Sequence, residues 1–393
     1  MGSTQSTHRS FQRLKKIRTG NITGDLTGLI FSRGINKRDS AQEKAVKLLL
    51  VAIGVLMILA TVLQFLRQDE WWIRIFDFPR LQITLITAVV IAAYLPLRGE
   101  SVTEHGFLVS LVLCLLYQSY MMYPYTLLSP KQVQQSKHPT NESKVSFLFA
   151  NVLIENRNAD RLREIIREAD PDLILTAEVD EWWREQLKEF DRTHPYVVAQ
   201  PQDNCYGILL QSRLELINPQ VKFLVQDDIP SIHARVKLRS GKEVELRGLH
   251  PRPPVPEEDG RATERDAELL IVGKEVKGKK DPIMVLGDLN DVAWSRTNNL
   301  FQDISGLLDP RIGRGFYHTF HAKYPFIRFP LDHFFHSNHF RLVDLRRLAY
   351  FGSDHFPVYI ELSYEPDARV EQEELQADRS EQQEAAEKIE KAV

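Results

Sequence analysis

The chain has 393 residues, a formal net charge of -3 at pH 7 and two cysteines, Cys114 and Cys205. This length allows one large domain or two ordinary domains with extensions, and the charge excludes an overall basic bias toward nucleic acid or an anionic membrane surface. Because Cys114 lies inside an apolar segment, an intrachain disulfide is not expected.

The first segment, residues 1–44, is polar and contains many basic side chains. It has no early hydrophobic core, so it is not a cleavable signal peptide. A short turn of structure at residues 26–31 is one interpretation, and we favour a mobile cytoplasmic tail. Its basic residues include Arg9, Arg13, Lys15, Lys16, Arg18, Arg33, Lys37, Arg38 and Lys44.

A transmembrane region is predicted at residues 45–128. It contains three apolar stretches at about 46–66, 81–97 and 107–128. A bilayer span needs about 20 apolar residues, so the second stretch is near the lower limit. One such stretch alone would also suit a buried helix of a globular domain. Three in succession, with Trp and Tyr residues near their ends, indicate insertion into the lipid bilayer.

The distribution of charge predicts the orientation of these spans. Lys and Arg crowd the residues before the first span, whereas the loop at 67–80 balances its bases with acids. The positive-inside rule then keeps the N-terminus in the cytoplasm. Three crossings of the inner or plasma membrane place the rest of the chain on the periplasmic or extracellular side. If the short second span does not cross, this side is reversed.

After a polar linker at residues 129–143, the pattern becomes that of an α/β domain at residues 144–364. Many strands and few helices favour two packed sheets flanked by helices over a doubly wound parallel sheet. The predicted strands lie at about 145–150, 173–175, 206–211, 231–238, 243–249, 282–286 and 357–362, and helices are expected at 159–169 and 261–274. The remaining segment, 365–393, is a charged tail without apolar periodicity, expected to be a solvated helix or disordered.

Polar side chains of the types used in catalysis stand at the ends of these strands. Asp288 and Asn290 follow the strand that ends at Leu286, and side chains two residues apart can point the same way from an extended backbone. Each cluster alone would also suit a turn or a solvated surface. Together they indicate convergence on one rim of the domain. The other clusters are Asn151, Glu178, His250, Asp332-His333 after Phe329-Pro330-Leu331, and Ser353-Asp354-His355.

In this order the clusters resemble the endonuclease/exonuclease/phosphatase superfamily. The most specific parts are Gly287-Asp288-Leu289-Asn290 and Ser353-Asp354-His355-Phe356-Pro357, supported by the strand Tyr206–Arg213. The resemblance covers residues 144–364 and suggests a membrane-anchored, bacterial-type member. It implies a four-layered α/β sandwich of two packed mixed β-sheets flanked by helices.

The resemblance also implies a site for a divalent cation. Glu178 would be the main carboxylate ligand of Mg²⁺, with Mn²⁺ as an alternative, and Asn151 and Asp354 would lie nearby. Such a hard cation binds one or two carboxylates and substrate phosphate oxygens. One departure concerns this shell, because Ala177 stands where many related nucleases have Gln before the ligand Glu.

The remaining roles concern proton transfer and phosphate binding. His355 would be the imidazole at the attacking water, oriented by Asp332. Asp288 and Asn290 would position the nucleophile and the phosphate, and His250 would donate to a phosphate oxygen or assist the leaving group. Arg252, in the same loop as His250, is our own addition as a phosphate contact. The His-Pro-Arg-Pro-Pro loop lacks the tyrosine of abasic-site enzymes.

The implied function is metal-assisted hydrolysis of a phosphodiester, either in nucleic acid or in a phospholipid head group. Acidic residues outnumber basic ones in residues 144–364, which does not favour a nucleic-acid groove. Tethering near a bilayer raises the effective concentration of lipid head groups. The alternative is a membrane-tethered binding protein without turnover. A transporter is disfavoured because its pathway would carry ionisable residues, and the sequence indicates no protein partner.

Overall fold

The computed structural model describes residues 22–256, 258 and 260–393, with side chains from residue 40 onward. Within this part of the chain the helices are α1 (Ile22–Leu63), α2 (Trp71–Arg74), α3 (Arg80–Tyr94), α4 (Val102–Met122), α5 (Ala159–Ala169), α6 (Glu181–Leu187), α7 (Thr263–Val276), α8 (Arg296–Ser305), α9 (Ala368–Glu371) and α10 (Arg379–Ala392). The strands are β1 (Lys144–Asn151), β2 (Leu173–Ala177), β3 (Tyr196–Gln200), β4 (Ile208–Ser212), β5 (Leu216–Phe223), β6 (Pro230–Lys237), β7 (Glu243–Leu249), β8 (Ile283–Asp288), β9 (Asp332–His336), β10 (Phe340–Arg347) and β11 (Val358–Tyr364).

The strands form two mixed sheets. One has the order β10-β11-β1-β2-β4-β3 and the other the order β5-β6-β7-β8-β9. The pairs β1–β2 and β7–β8 are parallel, and the other neighbours are antiparallel. The predicted sandwich of two mixed sheets flanked by helices is confirmed.

The alternation of side chains along β1 explains the layers. Successive residues of a strand point to opposite faces. Phe147 and Phe149 therefore enter the apolar core between the two sheets, whereas Leu148 packs with Leu162 of α5 on the outer face. Full burial of each such side chain stabilises the fold by about 1.5–3 kcal/mol. The second sheet packs its outer face on α7 in the same way, with Val285 of β8 in the shared cluster.

The sequence patterns did not reveal four of the strands, β3, β5, β9 and β10. The edge strand β5 contains Asn218-Pro219, and its pairing with β6 shifts register between Ile217 and Gln220. A proline is tolerated at such an irregular edge because no ladder hydrogen bond is needed from it. The polar, interrupted sequence therefore concealed a strand that pairs on one side alone.

Three helical segments near the N-terminus are long and apolar enough to span a membrane. They cover Ser40–Leu63, Arg80–Leu97 and Val102–Tyr125. The backbone of α1 is helical from Ile22, so residues 22–44 of the predicted tail are helical and continuous with the first span. The part of that prediction that concerns residues 1–21 lies outside the described residues.

The loop that joins the first two spans folds against the α/β domain. Its residues and the end of α4 exchange hydrogen bonds with two loops of that domain, around 260 and around 293. The main contacts are Trp71 N to Gly260 O (3.0 Å), Ala262 N to Asp69 O (2.7 Å), Trp294 Nε1 to Asp77 O (2.7 Å) and Tyr125 OH to Ala293 O (2.6 Å). We call this contact region the junction.

The linker at 129–143 is docked along the domain. The Val133 side chain is fully buried within the core between the sheets. Ser136 N donates to Leu342 O of β10 at 2.8 Å. The linker is therefore part of the folded domain, and its polar composition does not make it a free spacer.

The C-terminal segment contains the expected helix, and one face of this helix is packed against the domain. Helix α10 packs against α7 and α8 and buries Ala385. Asp378 and Glu381 form a reciprocal capping box at its start. Lys388 donates to Asp266 of α7 and to Asp69 of the junction, both at 2.8 Å. These buried ion pairs could not be recognised from a local charge pattern.

The buried indole at the junction generates the first prediction. Trp294→Ala in the full chain should lower the free energy of unfolding by about 3–5 kcal/mol, because the substitution leaves a cavity and removes the bond to Asp77. Trp72→Ala is the matched control, since that indole is 48% exposed. Thermal unfolding followed by circular dichroism in detergent compares the two variants. Equal melting temperatures would contradict the packing described.

Candidate active site

Strand register brings two carboxylates face to face. In the antiparallel pair of β8 and β9, Asp288 lies directly opposite Asp332. Side chains at opposed positions of an antiparallel pair lie on the same face of the sheet. In the parallel pair of β7 and β8, Leu249 is opposite Gly287, so His250 follows beside Asp288. One sheet edge therefore supplies three of the site residues expected from the sequence.

The position of Asp332 corrects one interpretation. The sequence placed Asp332 and His333 after a strand, but Asp332 is the first residue of β9. Because β9 runs antiparallel to β8, its start lies at the edge where β8 ends. The His333 ring takes a structural position, with Nδ1 accepting from Arg311 and Nε2 donating to Asp291 O at 2.8 Å each.

The first sheet delivers Asn151 and Glu178 to the same rim. Asn151 ends β1 opposite Ala177 of β2, so Glu178 is the next residue out. The Asn151 amide donates to Glu178 Oε1 at 2.8 Å and to Asp288 Oδ2 at 3.1 Å. Its oxygen accepts from Leu153 N at 3.0 Å. Asn151 thus bridges the two sheets and, in this orientation, presents N–H donors to the carboxylates.

The His355 ring lies between the two opposed carboxylates. Its Nδ1 is 3.0 Å from Asp332 Oδ2, and its Nε2 is 3.5 Å from Asp288 Oδ2. Burial alone would lower the pKa of His355, but attraction to Asp332 and Asp288 outweighs it and raises this pKa to about 10. The Phe320 ring covers the imidazole, with centroids 5.1 Å apart. His355 therefore carries its proton at neutral pH and holds the two carboxylates together.

Ser353 explains the spacing of the Ser-Asp-His motif. Its hydroxyl donates to Asn151 O at 2.8 Å and accepts from His355 N at 3.0 Å. This small side chain ties the loop before β11 to the end of β1. The motif thereby sets the depth at which His355 enters the site.

The Gly-Asp-Leu-Asn segment is constrained by close approach and by unusual backbone angles. A Cβ on Gly287, whose φ is +148°, would lie 1.9 Å from Leu249 O. Asn290 has φ +51°, its N–H donates to Asp288 Oδ1 at 2.9 Å and its side chain donates to Pro251 O at 2.9 Å. Left-handed non-glycine residues cost about 1–3 kcal/mol and cluster at functional sites. Glu178, with φ +61°, is a second one in this site.

Glu178 and Asp354 fit a hard cation. Burial, with a smaller contribution from the nearby Asp354 carboxylate, raises the pKa of Glu178 to about 7. Within the described residues, neither carboxylate forms a salt bridge with a lysine or arginine. Oxygen donors of this kind suit Mg²⁺ or Mn²⁺. Asp288, Asp332 and His355 also offer ligand atoms within 4.8 Å of one another, a second arrangement that could hold a metal ion.

His250 is buried beside this group as a neutral imidazole. Burial lowers its pKa. Its Nε2 lies 3.9 Å from Asp288 Oδ2, and its Nδ1 has no hydrogen-bond partner within the described part of the chain. The Tyr206 ring packs on it with centroids 5.6 Å apart. His250 thus lies at the site with one ring nitrogen, Nδ1, that makes no hydrogen bond to the described residues.

Arg252 is not brought into the cluster. Its guanidinium pairs with Asp228 at 2.6 Å and with Glu258 at 3.1 Å, and it stacks over the Tyr206 ring. The expectation that Arg252 contacts the substrate phosphate finds no support in this arrangement. The two acids engage Nη1 and Nη2, whereas Nε has no partner among the described residues, so the phosphate contact of Arg252 stays a prediction.

Sequence reasoning missed Arg265. This buried side chain of α7 donates to Asn290 O at 2.7 Å and pairs with Asp266 at 2.8 Å and Asp291 at 3.3 Å. Arg265 therefore fixes the backbone carbonyl of Asn290, the residue with the left-handed φ. In the sequence, Arg265 and Asp266 are two adjacent charged residues in a predicted helix. Such a pair is equally typical of a helix face in contact with solvent.

The match of this chain to a protein family is decisive for its class. A sequence model described as the Endonuclease/Exonuclease/phosphatase family matches residues 148–355, which contain every site residue discussed above. The chain belongs to this family. It is a metal-dependent hydrolase that acts on phosphate esters.

Solved structures of other proteins are similar to this one at low identity, whereas no curated protein sequence matches it. The human nocturnin catalytic domain with a bound sulfate anion is 17% identical, with 60% of this chain and 99% of that chain covered and a TM-score of 0.47. Humanized D. rerio TDP2 is 14% identical, with coverage of 56% and 99% and a TM-score of 0.47. An endonuclease/exonuclease/phosphatase from Beutenbergia cavernae is 17% identical, with coverage of 57% and 72% and a TM-score of 0.47.

The close approach at Gly287 generates the second prediction. Gly287→Ala should destabilise the fold by more than about 4 kcal/mol, because the new methyl group would overlap a backbone carbonyl that cannot move aside. Gly278→Ala is the control: it shares a positive φ, of +71°, but meets nothing within 4 Å. Urea unfolding of the two variants gives the comparison. A Gly287→Ala midpoint no lower than that of Gly278→Ala would contradict the geometry.

Proposed function

We propose that this protein hydrolyses phosphodiester bonds at the surface of a membrane, using a His-Asp pair and a divalent cation. The observation that carries this proposal is the buried set Asp288–His355–Asp332 placed beside Glu178. Two separate centres are then available within one rim, one for protons and one for a cation.

The first centre handles the proton of the attacking water. In the proposed reaction water attacks phosphorus, the bond from phosphorus to the leaving alcohol oxygen breaks, and the water proton passes to the carboxylate of Asp288, which lies 3.5 Å from the His355 ring. Burial raises the pKa of Asp288, which makes its carboxylate a better proton acceptor. Asp332 fixes the imidazole orientation through Nδ1, as a buried acid does for a catalytic histidine.

The second centre would hold the cation. Glu178 and Asp354 are its proposed ligands, Mg²⁺ the proposed ion and Mn²⁺ the alternative. When bound, the ion polarises a phosphoryl oxygen and offsets negative charge in the transition state. Asn151 keeps the Glu178 carboxylate in place by donating to Oε1.

The phosphate itself would be oriented by neutral donors. The Nε2 atom of His250 lies 3.9 Å from Asp288 Oδ2, and His250 is proposed to donate from this side of its ring to a phosphate oxygen or to the leaving oxygen. Asn290 is proposed to support this function indirectly, since its side chain fixes the carbonyl of Pro251 next to His250. The bond from Asn290 to Pro251 thus connects the loop that carries Asp288 to the loop that carries His250.

The side of the membrane is part of the proposal. The loop between the first and second spans contacts the catalytic domain that follows the third span. At the other end of the bundle, Lys47 of α1 pairs with Glu104 of α4. This arrangement supports three crossings, and with the basic N-terminal segment in the cytoplasm the catalytic domain lies on the periplasmic or extracellular side.

A fusion experiment tests the orientation. Reporters that are active on one side of the membrane alone, placed after Val393, should indicate the outer compartment. The same reporters inserted in the loop at 98–100 should indicate the cytoplasm, because that loop follows the second span. A cytoplasmic signal from the fusion after Val393 would show that Arg80–Leu97 does not cross.

The chemistry is tested with the full chain in detergent and bis(4-nitrophenyl) phosphate as substrate. Release of nitrophenol should require Mg²⁺ or Mn²⁺ and stop with EDTA. Asp332→Asn should lower kcat by about 10²–10⁴-fold, because the imidazole loses its orienting acid. Glu178→Gln should raise the Mg²⁺ concentration needed for half-maximal rate.

The control for both variants is Asp344→Asn, which removes a carboxylate that is largely at the surface of β10. It should retain the rate of the unaltered protein. Turnover that survives EDTA, or that is unchanged in Asp332→Asn, would refute the proposed mechanism.

A further inference from the structure

Residues 319–329 form a hairpin beside the active site. Phe320 pairs with Phe329 in an antiparallel bridge, and His321 N donates to Ile327 O at 3.0 Å. The base of the hairpin contacts two site residues. The Phe320 ring covers His355, and Ala322 N donates to Asp354 O at 2.6 Å.

The tip of this hairpin is apolar and exposed. Phe326 is 86% exposed, Tyr324 57% and Ile327 53%. Three adjacent large apolar side chains in water are unfavourable and indicate an interaction surface. Such a surface needs an apolar environment close at hand.

The tip lies at the level where a membrane begins. Gln82, in the first turn of α3, donates from Nε2 to Phe326 O at 2.9 Å, and α3 begins the apolar segment Arg80–Leu97. Exposed aromatic side chains surround the same end of the helical bundle, which is typical of the interface between lipid and water. They are Trp71, Trp72, Tyr120 and Tyr123.

The charges of the hairpin fit a lipid surface. It contains two basic residues, Lys323 and Arg328, and no acidic residue. Arg347, exposed beside it, donates to His318 O at 2.9 Å. Basic groups next to a bilayer are attracted to anionic lipid head groups.

The distance from tip to site is short. Phe326 is four residues from Ala322, and an extended chain rises about 3.3 Å per residue, so the tip lies within about 13 Å of Ala322, whose N–H donates to Asp354 O. The junction fixes the domain on the three membrane helices. The fold therefore also fixes the height of the active site above the bilayer. A head group of the same membrane is therefore within reach of the site.

We propose that the 319–329 hairpin inserts its tip into the head-group region, and that the active site hydrolyses the phosphodiester of a membrane phospholipid. This rests on the proposed function and adds its substrate class. Water attacks the head-group phosphorus, one phosphorus–oxygen ester bond breaks, and the products are a phosphomonoester and an alcohol. Nucleic acid is less favoured because acidic residues outnumber basic ones in residues 144–364.

The test uses the full chain in nanodiscs of phosphatidylethanolamine and phosphatidylglycerol with Mg²⁺. Three substrates are compared: the disc lipids, soluble bis(4-nitrophenyl) phosphate and a single-stranded DNA oligonucleotide. The double variant Phe326→Ser with Ile327→Ser should lower lipid turnover at least tenfold and change turnover of the soluble diester less than twofold. Val370→Ser is the matched control, since that residue is 89% exposed and lies on α9.

The outcomes separate the two proposals. Lipid turnover that is unchanged in the double variant, or that falls equally with turnover of the soluble diester, overturns the hairpin proposal. Cleavage of the soluble diester or of DNA without cleavage of lipid overturns the substrate class and leaves the proposed function standing. No cleavage of any substrate overturns the proposed function.

Insertion has a readout that does not depend on activity. An environment-sensitive dye on Phe326→Cys, in a Cys205→Ser background, should shift its emission to shorter wavelength in nanodiscs and be quenched by brominated lipids. The same dye on Val370→Cys should show neither effect. An unshifted, unquenched dye at position 326 would show that the hairpin stays in water.

Discussion

The active site depends on two buried carboxylates that the sheet register forces to face each other. Asp288 and Asp332 are opposed across β8 and β9, and like charges in a buried site repel each other. The His355 ring lies between them, with Nδ1 toward Asp332 and Nε2 toward Asp288, and its positive charge offsets this repulsion. The Asp354 carboxylate also raises the pKa of Glu178, and neither of these two acids forms a salt bridge with a lysine or arginine among the described residues. For this reason we propose Glu178 and Asp354, and not the pair already linked by His355, as ligands of the cation.

Much of this arrangement could be predicted from the sequence, because parallel strands end at a common edge. Asn151, Glu178, His250 and Asp288 follow strands whose ends meet there. The antiparallel start of β9 at Asp332 needed the structure, since local pattern does not give strand direction. Edge strands such as β5 were hidden by polar and proline residues. The part played by Arg265 was also hidden, because a buried charge is recognisable only from its distant partners.

The membrane region is a component of the fold. Trp294, Phe329 and Leu331 of the catalytic domain share one buried cluster with Met122 and Tyr125 from the end of α4. Without the anchor these side chains would face water. The same loops lead directly to the site, since Trp294 follows the Gly-Asp-Leu-Asn segment and Phe329 closes the 319–329 hairpin. The loops that lead to the active site therefore also carry the side chains that pack on the membrane helices.

The ion pairs of Lys388 have a consequence for the order in which the molecule is made. Asp69 and Asp266 are synthesised long before Lys388, which contacts both of them. When Lys388 is added, the segment that contains it is still inside the ribosome. These ion pairs therefore form only after that segment has emerged, when the membrane helices and the strands of the site have already been synthesised.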